Sequence, residues 1–248
     1  MILIRSLLHF VAMVGTILFF GLAMSTVGLL FPLEIRDRWG NAWGQTNLWL
    51  MKRILGLDYR IVGSENLPQE AAIVMSKHQS AWETIALRGI LKPEQSWVLK
   101  RELMWIPIFG WALASVPNIA INRKAGRKAV KQIVERGTWA LQKGRLIVIF
   151  PEGTRTRPGE RHKYGIGGGL LAEKSGYPVV PIAHNAGLFW PKRSLLKYPG
   201  TITVVVGETI DSHGKKASEI TREVEAWIES TMEKIPSSRK ESSQFIHN

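Results

Sequence analysis

Apolar and polar positions divide the chain into two unlike parts. Residues 6–33 carry no formal charge and are dominated by Leu, Phe, Val, Ile and Met. About 20 apolar residues in a helix cross a bilayer core, so this run is long enough to do so. A secretory signal is the first competitor, and Ala23-Met24-Ser25 loosely resembles a cleavage site. The apolar run continues to Leu30, however, beyond an ordinary signal core. A buried core helix is the second, but such helices rarely stay apolar on every side for so long. Pro32 breaks the pattern, after which Ile35, Trp39, Trp43, Leu50 and Ile54 recur at spacings of four and seven. That is one stripe of an amphipathic helix. Trp at such places often sits at headgroup depth, although a core stripe is the commoner explanation. Residues 1–56 are therefore expected to form a helical hairpin in or on a membrane.

Downstream the period changes. Short apolar runs over 59–62, 71–75, 96–99, 118–121, 146–150, 179–182 and 201–206 predict strands. Helical patterns fall over 81–91, 125–143, 168–175 and 217–234. In the second of these, Val130, Ile133, Val134 and Leu141 line one face and Arg127, Lys128 and Lys131 another. Strands alternating with helices imply an α/β fold, with a mixed, largely parallel sheet flanked by helices and preceded by the membrane-associated hairpin. This domain is assigned 57–235, and the Ser-rich tail over 236–248 reads as disordered. A second uncharged run, 103–122, is interrupted by Pro107, Gly110 and Pro117. Proline inside a helix costs ~3 kcal/mol, so a short helix and a strand lining something apolar are expected there instead of a second span. No internal repeat is present.

Composition narrows the partners. The 248 residues include 33 Lys or Arg against 20 Asp or Glu, a formal charge of +13, with 45% hydrophobic residues and no Cys. The apolar content excludes a disordered polycation. Absence of Cys excludes disulfides, a thiolate nucleophile and Cys-ligated metal. Residues 100–163 hold fourteen basic residues and four Glu, which is +10 of the +13. A solvated basic face is the bland explanation, and a phosphate site the sharper one. A nucleic-acid surface would interleave aromatics with the basic residues. Between residues 123 and 163 only Trp139 and Phe150 are aromatic, apart from His162, and both sit in apolar patterns, so no nucleic-acid partner is expected.

Two strand ends carry candidate chemistry. Residues 71–83 run from an apolar strand through Ser76-Lys-His78-Gln-Ser80 into a helix, placing His78 at the carboxyl end of the strand. A histidine there can act as a general base when a carboxylate holds its other nitrogen, and Glu83 is the near candidate. On one continuous helix the two would diverge by ~140°, so they meet only if His78 precedes the helix and Glu83 lies in its first turn. Ser80-Ala-Trp-Glu83 also fits a capping box, a purely structural use of the same carboxylate. The second strand ends in Phe150-Pro-Glu152-Gly153-Thr154-Arg155, which aims Glu152 and Arg155 at the same crevice. Arg155 can take a phosphate in bidentate fashion, and Gly153 leaves its amide unobstructed. An ordinary turn with an exposed ion pair is the alternative. Gly165-Ile-Gly-Gly-Gly169 is not a dinucleotide loop, since Leu170 follows and no strand directly precedes it; a flexible turn beside the phosphate site is expected.

His78-x4-Glu83 and Phe150-Pro-Glu-Gly-Thr-Arg155 resemble the first and third motifs of the glycerophospholipid acyltransferases, and within that family the bacterial lysophosphatidic acid acyltransferases. Residues 100–110, 117–123 and 179–185 are similar to further blocks in the same order, and the hairpin is similar to the membrane-associated two-helix element of bacterial members. Two positions depart from the family pattern: Glu83 stands where Asp is usual, and Ala120 where an aromatic is usual. The resemblance implies acyl transfer from a thioester to lysophosphatidic acid, with His78 as base and Glu83 orienting it. It implies that Arg123 and Arg155 clamp the acceptor phosphate, with Lys100 helping at the oxyanion. Glu152, Gly153 and Thr154 would complete the substrate loop, and the stretch 103–111 would enclose the acyl tail. Neither a metal nor a cofactor is expected beyond an acyl-CoA or acyl carrier protein thioester as co-substrate. Membrane lipids are expected partners, at the cell inner membrane with the catalytic domain on its cytoplasmic face. Competing readings are another acceptor, such as glycerol 3-phosphate or a different lyso-lipid, and an inactive membrane scaffold.

Overall fold

The computed structural model describes residues 1–244. Seven strands form one sheet: β1 Leu57–Val62, β2 Ile73–Ser76, β3 Gln95–Lys100, β4 Ile119–Ile121, β5 Leu146–Ile149, β6 Val179–His184 and β7 Gly200–Val206. Their order is β1-β7-β6-β2-β5-β3-β4. β6, β2, β5, β3 and β4 run parallel to one another, whereas β7 pairs antiparallel with β6 and carries β1 beside it. The mixed, largely parallel sheet thus follows the reading of the sequence. Each expected strand forms, with ends shifted by a few residues.

Both faces of the central strands are buried. Val74, Val148, Trp97 and Leu99 point to one side. Ile73, Met75, Ile147, Ile149 and Val98 point to the other, as the two-residue period of a strand requires. Helices α3 Trp82–Ile90, α5 Arg127–Gln142, α6 Gly167–Ser175 and α8 Ala217–Lys234 occupy the expected stretches. α3 covers the first face, and α5, α6 and α8 cover the second. The glycine run opens α6 and serves packing, not a flexible turn. A side chain at Gly169 would collide with the Ala217 carbonyl and Thr221 on α8, and one at Gly168 with Met75.

The N-terminal hairpin consists of α1 Ile2–Ser25 and α2 Leu33–Leu50, joined by a short turn at Val27–Leu30. α1 is long and apolar enough to cross a membrane by length and composition. It lies against the domain along a narrow stripe that includes Ser6, His9, Gly21 and Met24, flanked by the half-buried Met13, Ile17 and Phe20, and most of its other apolar side chains are exposed. α2 departs from its expected stripe. Ile35, Trp39, Trp43, Leu50 and Ile54 are only half-buried, while Asp37, Gly40, Gly44, Asn47 and Leu48 face inward. Close backbone approach explains this choice: a side chain at Gly44 would stand 2.5 Å from the Gly89 amide on α3. Asp37 accepts from both terminal nitrogens of Arg145, at 2.5 and 2.8 Å, with Arg88 alongside at 3.5 Å. Arg145 therefore belongs to a buried ion pair and not to the basic face.

Over the interrupted run, a short helix α4 Phe109–Ala114 and strand β4 form as expected. The described part of the tail is not disordered. Helix α9 Arg239–Gln244 follows Pro236, and Asn185 donates to the Pro236 carbonyl and to Ser242 at 3.0 and 3.3 Å. Residues 245–248 lie outside the described residues.

Candidate active site

The parallel strands β2, β5, β3 and β4 all present their carboxyl ends to one edge of the sheet. His78 follows β2, Glu152 to Arg155 follow β5, Lys100 ends β3 and Arg123 follows β4. His78 precedes α3 and Glu83 occupies its first turn, so the two meet: His78 Nδ1 lies 2.8 Å from Glu83 Oε1. The same oxygen accepts the Gln79 and Ser80 amides at 2.7 Å, and Ser80 Oγ accepts the Trp82 amide at 3.1 Å. Capping and ring orientation are therefore one arrangement, not alternatives. Burial pushes the Glu83 carboxyl up, but the His184 and His78 rings and the backbone amides outweigh it and hold it below 4.5. The carboxylate stays charged beside the imidazole. Phe150 stacks on His78 with ring centroids 4.1 Å apart.

The backbone of His78 is clamped from the loop after β5. Its amide donates to Glu152 Oε2 at 2.7 Å, and its carbonyl accepts from the Thr156 amide at 2.8 Å and from Thr156 Oγ1 at 3.1 Å. Glu152 is consequently turned inward instead of toward the crevice, because Lys77 Nζ holds its Oε1 at 2.6 Å. Burial raises the Glu152 carboxyl, and the Lys77 ammonium opposes that shift. Gly153 sits at φ +66°, the left-handed region that a glycine enters without strain. Its amide is used in a turn to the Phe150 carbonyl, while its own carbonyl accepts from Arg123. Thr154 is exposed on the outer edge of this loop.

His78, Lys100, Arg123 and Arg155 share one cavity of about 400 Å³. Apart from this polar group its walls are largely apolar. Met13, Ile17 and Phe20 come from α1, Leu103, Phe109 and Leu113 from the interrupted run, and Trp43, Trp97 and Phe150 from elsewhere. Of the fourteen basic residues over 100–163, only these three reach it; Lys100 also pairs loosely with Glu102 at 3.6 Å. Among the described residues no cluster of His, Asp or Glu is arranged for a metal ion. Sequence reasoning did not single out Lys77, Thr156, His184 or Glu229. His184 is fully buried, and its Nε2 lies 2.8 Å from the Lys77 carbonyl, which it meets as donor because Nδ1 accepts the Ala186 amide.

Similarity to known proteins defines the class: this is an acyltransferase. The family model described as Acyltransferase matches residues 58–185, and the chain belongs to that family. It is 40% identical to the 1-acyl-sn-glycerol-3-phosphate acyltransferase of Pseudomonas aeruginosa, over 94% of this chain and 91% of that one. It is 29% identical to the enzyme of the same name from Saccharomyces cerevisiae, over 76% of this chain and 63% of that one. The solved structure of the 1-acyl-sn-glycerophosphate (LPA) acyltransferase PlsC from Thermotoga maritima has the same fold. Its TM-score is 0.79 at 23% identity, over 94% of this chain and 95% of that one.

Proposed function

We propose that the enzyme transfers an acyl chain from a thioester to the free sn-2 hydroxyl of lysophosphatidic acid, forming phosphatidic acid. The observation that carries this reading is His78, held from behind by the buried Glu83, on the wall of an apolar cavity that also holds Arg123 and Arg155. The names of the relatives point to the same acceptor. Because Glu83 occupies Nδ1, Nε2 is the nitrogen left to take the hydroxyl proton. The freed oxygen attacks the thioester carbonyl, and Lys100 on the same wall offers a cation to the developing oxyanion. Collapse breaks the C–S bond, and the departing thiolate takes the proton back from His78. Arg123 and Arg155 bind the acceptor phosphate, which fixes the hydroxyl against Nε2. Gly153 and Thr154 shape the loop that carries Arg155, and Glu152 acts by holding His78 and not by touching glycerol. The cavity encloses the acyl tail, each buried methylene contributing ~0.8 kcal/mol.

The donor is an acyl-CoA or acyl carrier protein thioester, with no further cofactor. The site of action is the cytoplasmic face of the inner membrane, where the exposed side of α1 meets lipid. The test is an acceptor panel on the full chain in detergent or vesicles with either donor. Lysophosphatidic acid should be converted to phosphatidic acid far faster than glycerol 3-phosphate or lyso-lipids without a phosphomonoester. Preference for any other acceptor overturns the assignment.

A further inference from the structure

Directly behind His78 lies a buried ionic cluster that no substrate contact accounts for. Successive residues of an extended backbone point to opposite sides, so Lys77 turns away from the cavity toward α8. Its ammonium lies 2.6 Å from Glu152 Oε1 and 2.7 Å from Glu229 Oε1, and Tyr164 donates to the same Glu229 oxygen at 2.9 Å. Lys77 is 1% exposed, Glu152 and Glu229 8% each. Burying such a group costs several kcal/mol unless its partners are well placed, and an apolar side chain of similar volume would often be as stable. A cluster of this kind is therefore weak evidence for stability and better evidence for placement. Burial pushes the Tyr164 hydroxyl up, as do the two carboxylates, so it remains a donor.

We infer that Lys77 and Glu229 are positioning residues for the acyl transfer, acting on His78 through Glu152, so that the C-terminal helix α8 is part of the catalytic support. The chain of contacts is continuous. Glu229 holds Lys77, Lys77 holds Glu152, and Glu152 holds the His78 amide at 2.7 Å. The Lys77 backbone is itself fixed, its amide on the Ile182 carbonyl and its carbonyl under His184. Without Glu229 the ammonium is under-compensated and pulls on Glu152, whose Oε1 is also held by Thr156 Oγ1 at 3.2 Å, drawing the carboxylate away from the His78 amide. The base is then displaced while the arginines, on the cavity side, are left alone.

This inference rests on the proposed function for its kinetic readout, and hydrogen exchange tests it separately. In Glu229→Ala the His78 amide should exchange with deuterium about tenfold faster than in the wild type, because its acceptor Glu152 is drawn off by the under-compensated Lys77. The kcat for lysophosphatidic acid should fall about tenfold, less than the ~100-fold that a 1 Å displacement can cost. The KM should stay within about twofold, since ground-state binding is untouched. Glu229→Gln, which can still accept from Lys77 and Tyr164, should recover most of both. Should Glu229→Ala not fold, Tyr164→Phe carries the test, with a smaller loss of kcat and an unchanged KM in the folded protein. Wild-type exchange at His78 in a folded variant overturns the inference, as does unchanged kcat in Tyr164→Phe. Faster His78 exchange in a protein that never acylates lysophosphatidic acid supports the positioning and overturns only the proposed function.

Discussion

Glu83 is the residue at which most of the chemistry meets. One carboxylate oxygen accepts the His78 ring and two backbone amides, so the longer side chain reaches the imidazole without giving up the helix cap. Glu83→Gln keeps an oxygen in place but removes the charge that stabilises an imidazolium. It should lower kcat by about 100-fold or more with an intact fold, measured as turnover and near-ultraviolet circular dichroism. Because the folded-state pKa lies below 4.5, Glu83 contributes stability that is fully present above pH 4.5 and is lost as pH falls through the depressed folded value. Melting of the wild type should therefore drop more steeply below pH 4.5 than melting of Glu83→Gln. Arg155→Ala should raise the KM for lysophosphatidic acid about tenfold or more, with kcat less affected, because it removes a charged contact present before the transition state. The placement of His78, Glu83 and Arg155 was legible in the sequence because each lies in the turn or the first helical turn that follows a strand, where local pattern fixes direction. Lys77 and Glu229 were not, since their pairing joins positions 152 residues apart.

At the scale of elements, period and punctuation located every strand of the sheet, while the apolar stripe of α2 left open which side docks on the domain. Aromatics at helical spacing suggested the buried side, yet the helix docks through glycines and an aspartate. Asp37 compensates two buried guanidiniums, Arg145 and Arg88, and only the three-dimensional approach of α2 to α3 reveals it. Asp37→Ala should cost about 3–5 kcal/mol of unfolding free energy, since it strands those charges. Gly44→Leu should detach α2 from α3, because the added atoms meet backbone that has nowhere to go. Since Gly40 and Trp43 line the cavity, that variant should also lose activity on long-chain donors. The described part of the tail is helical for a related reason: Ser-rich composition says nothing of Asn185, just after β6, which holds Pro236 and Ser242.

For the whole molecule, the outer side of α1 and the neighbouring Trp105, Ile106 and Trp111 are exposed. α1 also forms part of the wall of the cavity. An apolar surface of this kind calls for an apolar partner, and under the proposed function that partner is the lipid bilayer. Paired Trp105→Asp and Trp111→Asp substitutions should weaken sedimentation with phospholipid vesicles while leaving the melting temperature nearly unchanged. If His78 is the base in acylation of lysophosphatidic acid, removing its ring must stop turnover without unfolding the protein. Phosphatidic acid formation from a thioester donor would be measured for equal amounts of folded wild type and His78→Ala. The wild type should turn over readily, and the variant should be slower by about 100- to 10,000-fold. A folded His78→Ala enzyme working within a few-fold of the wild-type rate would contradict that role.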